Sequence, residues 1–88
     1  YNVNKNLILA IIGDKKIEDK NFTFRNQDGT YTKGLMQISE RTTRWVAKQL
    51  GEKYKKDMEY DAATNIRYGT YYLNYLKKIN MYASKLLM

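Results

Sequence analysis

The chain has no cysteine, no histidine and no proline in its 88 residues. Without cysteine there is no disulfide framework and no thiol chemistry, which suits the cytoplasm and a bacterial envelope alike. Without histidine the commonest general base and metal ligand is missing, so serine triads, Cys–His pairs and typical zinc sites are not expected. An enzyme built from this chain has to move protons with carboxylates, and no metal or organic cofactor is anticipated. No apolar run approaches the ~20 residues that span a bilayer. Nothing at the start reads as a secretory leader, and an opening at Tyr1 is what a processed or trimmed product would show.

What is present is the material of one small globular domain. A chain of this length buries roughly 60–65% of its unfolded surface, which just sustains a single core. The hydrophobic fraction of 43% and aromatic fraction of 14% belong to a folded protein rather than a disordered tail. The net charge of +7 implies attraction to polyanions, among them nucleic acid, anionic lipid and the acidic polymers of a bacterial wall. The lysines are spread along the chain in pairs, Lys15–Lys16, Lys55–Lys56 and Lys77–Lys78. That dispersion reads as a solvated surface rather than a dedicated nucleic-acid groove.

Along the chain, Asn4 is a candidate cap for a short buried helix over the apolar run Leu7–Ile12, with Gly13 to stop it. A charged stretch follows. Then Phe22 and Phe24 alternate with Thr23 and Arg25, Asp28–Gly29 supply a turn, and Thr30–Thr32 resume β-friendly chemistry, which predicts a hairpin. Ser39 can cap a helix carrying Thr42, Trp45, Val46, Gln49 and Leu50 on one face, closed by Gly51. Residues 52–60 read as a polar connector. Asp61 can cap the next helix, with Ala62, Asn65, Ile66, Gly69, Tyr72, Leu73 and Leu76 on one face and Tyr68, Tyr71 and Tyr75 on another. Two such faces suit a helix packed between neighbours. A final helix is expected to start near Asn80 and to be cut off at Met88.

One stretch does not read as ordinary core. Gly34-Leu35-Met36-Gln37-Ile38 places an uncharged amide, Gln37, between two apolar residues where packing alone would take a third. Together with Asn65-Ile66, Gly69 and Tyr72-Leu73, in this order and spacing, it resembles the soluble lytic transglycosylase domain. The opening run 7–12 is similar to the helix that precedes the catalytic glutamate of that family, and the resemblance covers essentially the whole chain. It implies a mainly α, lysozyme-like fold with a small β-hairpin, related to goose-type lysozyme, and a single domain over 1–88. The resemblance also implies a following Ala-Tyr-Asn motif that the chain stops short of, so the expectation is a domain truncated at its C-terminal end and lacking one wall of the cleft.

The activity implied by the resemblance is cleavage of the bond between N-acetylmuramic acid and N-acetylglucosamine in peptidoglycan. One glutamic acid protonates the departing oxygen, then acts as base while the muramic 6-hydroxyl closes onto C1 to give a 1,6-anhydro product. Such an acid is made effective by partial burial, which raises its pKa. The implied partner is the glycan strand and the implied setting the bacterial cell envelope. Rival readings are a muramidase that uses water on the same bond and a non-catalytic glycan-binding module. A nucleic-acid-binding basic domain explains the charge but not the Gln37 motif.

Placing the acid by the resemblance gives divergent answers. Counting forward from Ala10-Ile11-Ile12 leads to Lys15, as does the longer goose-type spacing back from Gly34; the shorter spacing leads to Asp19. Glu18 is the only glutamate before Gly34 and is read as the acid, the alternative being a domain without one. Lys15 cannot substitute, because an ammonium repels a developing oxocarbenium ion and is a poor acid at neutral pH. Gln37 is read as a substrate contact, against a structural amide satisfying backbone groups. Ser39 and Tyr31 are further substrate-contact candidates, as is Met36, whose competing role is in the core. Trp45 is read as its helix's anchor. The Tyr68, Tyr71 and Tyr75 stripe is read as core rather than as a sugar platform.

Overall fold

Asn4 opens the first helix in this computed structural model, which describes residues 3–87. Its side chain accepts the Asn6 N–H at 2.7 Å, satisfying a donor that a helix start leaves orphaned. The helix α1, Lys5–Ile12, ends at Gly13, which adopts φ +62°. The expectation of a buried helix is corrected here: no residue of α1 is buried, and Leu7 and Leu9 are about half exposed, at 49% and 53%. An uninterrupted apolar run wraps all sides of a helix, and the domain meets only one of them. Tyr1 and Met88, on which the readings of the chain ends fell, lie outside the described residues.

After α1 a 3-10 helix, Ile17–Asn21, leads into the sheet. Strands β1 (Thr23–Arg25) and β2 (Tyr31–Lys33) form the expected hairpin, pairing Thr23 with Lys33 and Arg25 with Tyr31. Gly29 holds φ +87° in its turn, while Asp28 accepts from both the Thr30 N–H (2.9 Å) and hydroxyl (2.6 Å). A third strand, β3 (Ile38–Ser39), extends the hairpin antiparallel to β2, giving the order β1-β2-β3. Two residues are too short a run to show period-two alternation, so the sequence pattern carries no sign of it.

Helix α2, Glu40–Gln49, begins at Ser39, whose hydroxyl accepts the Thr42 N–H at 3.1 Å. Its inward face is rotated from the expected one. Thr43, Val46 and Ala47 are buried and Gln49 is exposed. Thr43 can be buried because its hydroxyl donates back to the Ser39 carbonyl at 2.7 Å, leaving no polar atom unsatisfied.

The stretch expected to be a polar connector contains a second 3-10 helix, Met58–Tyr60, with Glu59 fully buried and Tyr54 and Met58 packed on the core. Asp61 then caps α3, accepting the Thr64 N–H at 3.0 Å. Helix α3 runs unbroken over Ala62–Leu87, so the separate helix expected from Asn80 is corrected to a continuation. No glycine or proline lies between Tyr75 and Leu87 to stop it.

The core sits where α2 and α3 meet the sheet. Ile38, Val46, Ala47 and Tyr68 are its buried members, with Trp45, Leu50, Tyr71 and Tyr72 packed around them. Full burial of one such side chain contributes about 1.5–3 kcal/mol. Trp45 lies 4.6 Å, centroid to centroid, from Tyr75 and meets Tyr72 edge-on at 6.1 Å. Among the described residues, no helix is long and apolar enough to cross a membrane.

Candidate functional site

The Gly34–Ile38 stretch is a turn locked onto α3. Asn65, fully buried, accepts the Met36 N–H at 2.7 Å and donates to the carbonyls of Glu59 (2.7 Å) and Lys33 (2.9 Å). Two glycines make this approach possible. A Cβ on Gly34, which has φ +81°, would collide with the Asn65 amide; one on Gly69 would lie 2.7 Å from the Met36 sulfur and 3.0 Å from its Cβ. The small residue Gly69 therefore makes room on α3 for the Met36 side chain.

Gln37 is held in the left-handed region at φ +53°, an uncommon conformation for a residue with a side chain. Its amide stitches the turn together. Nε2 donates to the Gly34 carbonyl at 2.7 Å and the Phe22 carbonyl at 3.1 Å, and Oε1 accepts the Thr32 hydroxyl at 2.9 Å. Both amide hydrogens are thereby committed, and what Gln37 can still offer a ligand is the second lone pair of Oε1.

A groove of about 250 Å³ opens beside this turn. Its walls are Ile11 of α1 and Gly69, Tyr72, Leu73 and Leu76 of α3; the turn residues Met36–Ser39, with Thr32 and Thr42, complete it. Apolar walls with a few converging polar groups are the usual make-up of a small-ligand site. Of the sequence-derived candidates, Met36, Gln37 and Ser39 line this groove together. Met36 is also 94% covered by protein, being only 6% exposed. The Ser39 hydroxyl, besides capping α2, donates to the Thr42 hydroxyl at 3.0 Å. Tyr31 does not line the groove; it stands in an adjoining hollow of about 520 Å³ with Lys33, Glu40 and Arg41. A third hollow, of about 400 Å³, is lined by Arg41, Thr42, Trp45, Tyr72 and Tyr75. The groove-lining threonines, Thr32 and Thr42, were passed over in the sequence because nothing about a lone threonine distinguishes a cleft from a strand or a helix flank.

Among the described residues, no carboxyl group lines the groove. Glu18 lies on the 3-10 helix Ile17–Asn21 and is exposed; among the described residues its carboxylate has no hydrogen bond or ion pair. This segment nevertheless bridges two parts of the site, following α1 with its groove residue Ile11 and ending at Phe22, whose carbonyl holds Gln37. Two other candidates for the acid's position, Lys15 and Asp19, are engaged locally. The Lys15 ammonium donates to the Ile12 carbonyl at 3.2 Å, settling a cation at the negative end of α1. The Asp19 carboxylate accepts the Lys16 N–H at 2.8 Å.

The buried carboxylate is elsewhere. Glu59, fully enclosed, accepts from the Tyr54 hydroxyl at 3.0 and 3.2 Å and faces the Lys33 ammonium at 3.6 Å. Burial, reinforced by Glu59, pushes the Tyr54 phenol well above its ordinary range. Burial disfavours the Lys33 charge, but Glu59, with Tyr60 and Asp57, more than offsets it and holds the lysine above its usual value. Sequence reasoning missed Glu59 because a glutamate in a lysine-rich stretch reads as solvated. The signal was its setting between Met58 and Tyr60, with Tyr54 five residues earlier. Among the described residues no cluster of histidine, cysteine or carboxylate side chains could hold a metal ion.

A family model described as the transglycosylase SLT domain matches residues 1–87. Among curated proteins and among solved structures, none matches the chain.

Proposed function

Because the chain belongs to the transglycosylase SLT domain family, which has a lysozyme-like fold and, at the level of the family, a lytic-transglycosylase-type action on peptidoglycan, we propose that it lays a glycan strand in the groove beside Gln37 and cleaves it with Glu18. In this reading Glu18 protonates the oxygen between N-acetylmuramic acid and N-acetylglucosamine. The muramic 6-hydroxyl attacks C1, the C1–oxygen bond to the leaving sugar breaks, and the hydroxyl proton returns to the Glu18 carboxylate. The products are a 1,6-anhydro sugar end and a free 4-hydroxyl. The Gln37 Oε1 and the hydroxyl oxygens of Ser39 and Thr32 are the groups that accept from the sugar's hydroxyls, Met36 supplies apolar contact, and Tyr31 meets the strand where it leaves the groove.

The observation that carries this reading is the groove itself, formed at the family motif by Met36, Gln37, Ser39, Gly69 and Tyr72. Glu18 is favoured over Asp19 because the Asp19 carboxylate is engaged with the Lys16 N–H. Its exposure in the free protein means that the bound strand has to supply the shelter from water that makes a carboxyl group an effective acid. The net charge of +7 favours dwelling on an anionic wall in the bacterial envelope.

A second reading, a domain that grips glycan without cutting it, is favoured by the carboxyl-free groove and by the engagement of Lys15 with the Ile12 carbonyl. Release of muropeptides from purified peptidoglycan separates the two. Cleavage by the wild type that is lost in Glu18→Gln, with products lacking one water, supports the transglycosylase; products of full mass indicate a muramidase. Wild-type protein that sediments with cell walls yet releases nothing supports the gripping domain.

A further inference from the structure

The three hollows meet around the first turn of α2. Ser39 lines the groove and the hairpin hollow, Thr42 and Tyr72 line the groove and the Trp45 hollow, and Arg41 lines both side hollows. A strand in the groove therefore has side arms leaving past Arg41 in either direction.

The charges along this route are almost all matched within the protein. Lys33 faces Glu59 and Asp57, each at 3.6 Å. Glu40 holds Arg44 at 3.1 Å. Asp28 is occupied by Thr30, whose hydrogen bonds hold the aspartate's pKa below its ordinary value. Arg41 is different. It is exposed, and among the described residues its guanidinium has no hydrogen bond or ion pair. Among the described residues, the groove beside it carries no charged side chain. Aromatic surface flanks the arginine on both sides, Tyr31 in one hollow and Trp45 with Tyr75 in the other.

We infer that Arg41 receives a carboxylate carried on a side arm of the bound strand, so that the domain distinguishes a muramyl-containing polymer from a neutral N-acetylglucosamine polymer of the same backbone. A planar guanidinium with a fork of donors is the side chain best suited to a carboxylate. The carboxylate can be that of a peptide attached to muramic acid, or the lactyl carboxylate itself once the peptide is removed. This inference rests on the reading that the groove holds glycan.

The test is equilibrium binding of three probes to catalytically silent Glu18→Gln protein: peptide-bearing peptidoglycan strands, strands denuded by an amidase, and chitin oligosaccharides of matched length. Arg41→Gln is compared with Arg25→Gln, which removes the same charge from β1 outside all three hollows. Arg41→Gln should bind peptide-bearing strands about three- to fivefold more weakly, the scale of an exposed ion pair. Binding of chitin should be unchanged, and Arg25→Gln should match the parent on every probe. An effect that persists on denuded strands shows that Arg41 also receives the lactyl carboxylate once the amidase has freed it; one that vanishes there confines the contact to the carboxylates of the peptide. No effect of Arg41→Gln, equal weakening by both variants, or equal weakening on chitin overturns the inference. Chitin binding that survives while Arg41 proves irrelevant leaves the groove reading standing. Parent protein that binds none of the probes removes both.

Discussion

Asn65 and Met36 are joined by a hydrogen bond of 2.7 Å from the Met36 N–H to the side-chain oxygen of a fully buried asparagine. Through it the turn bearing Gln37 is tied to α3 as well as to its own strands. Asn65→Ala should leave the Met36 N–H and the carbonyls of Glu59 and Lys33 without their partner. The expected loss is about 2–4 kcal/mol in a urea titration, since a buried group left unpaired forfeits its hydration as well as its bond. Asn65→Asp keeps the acceptor but turns a second oxygen toward two carbonyls, and should be no better.

Gln37→Glu exchanges a donor for an acceptor where two carbonyls wait. Its carboxylate would face the Gly34 and Phe22 oxygens that the amide now bonds at 2.7 and 3.1 Å. A drop in stability of about 1–3 kcal/mol is expected from the lost and opposed bonds, followed by differential scanning calorimetry. Glycan affinity should fall with it, because the groove wall and the turn are one object. A Gln37→Glu protein as stable as wild type would show that the amide's internal bonds matter little.

Glu59 and Lys33 should behave as a unit. Glu59→Met alone leaves a lysine whose side chain is only 14% exposed facing Asp57 without its buried partner, and should cost about 2–4 kcal/mol. Lys33→Met alone should cost a comparable amount by stranding the Glu59 carboxylate. The double variant should recover most of either loss, because an apolar pair of similar volume needs no desolvation. A double-mutant cycle measures this directly, and simple additivity of the two losses would rule out the coupling.

Stability should decline at both ends of the pH scale around Glu52. Its carboxylate accepts from Arg67 and from the Tyr68 hydroxyl, which lower its pKa from 4.5 to about 2. A folded-state pKa below the unfolded one gives stability that is complete above pH 4.5 and is lost as pH falls toward about 2. Burial, and then the Glu52 contact, raise the Tyr68 pKa from 10.0 to about 12. That contribution has the opposite sense: complete below pH 10 and lost as pH rises toward about 12. Chemical denaturation across pH should show both limbs, and Glu52→Gln should flatten the acid one.

Much of the fold is legible where a residue's role is local. Asn4, Ser39 and Asp61 act as the caps their positions announce, and Asp28–Gly29 make the hairpin turn. What is illegible depends on partners distant in the chain. Only its neighbours Met58 and Tyr60, with Tyr54 five residues earlier, mark Glu59 locally; its enclosure is completed by Lys33 and the start of α3, which are distant in the chain. The rotated face of α2 follows from one hydroxyl bond, Thr43 to Ser39, that hydrophobic periodicity does not register. At the site, Met36, Gln37 and Ser39 are adjacent in sequence and come together along the groove. Tyr31 falls into a neighbouring hollow because the register Arg25–Tyr31 places it at the far end of β2. Glu18 stays on the surface because the 3-10 helix that carries it is held by Asp19 and Phe22, not by the groove.

The lack of any enclosed side chain on α1 has a consequence for how this molecule breathes. A segment anchored by so little apolar contact detaches at low free-energy cost, well before the global transition. Its amide protons should be the earliest of the helical ones to exchange with deuterated solvent. Since Ile11 forms one bank of the groove, that bank should yield while the opposite one, on α3, stays put, so the width of the groove should follow the detachment of α1.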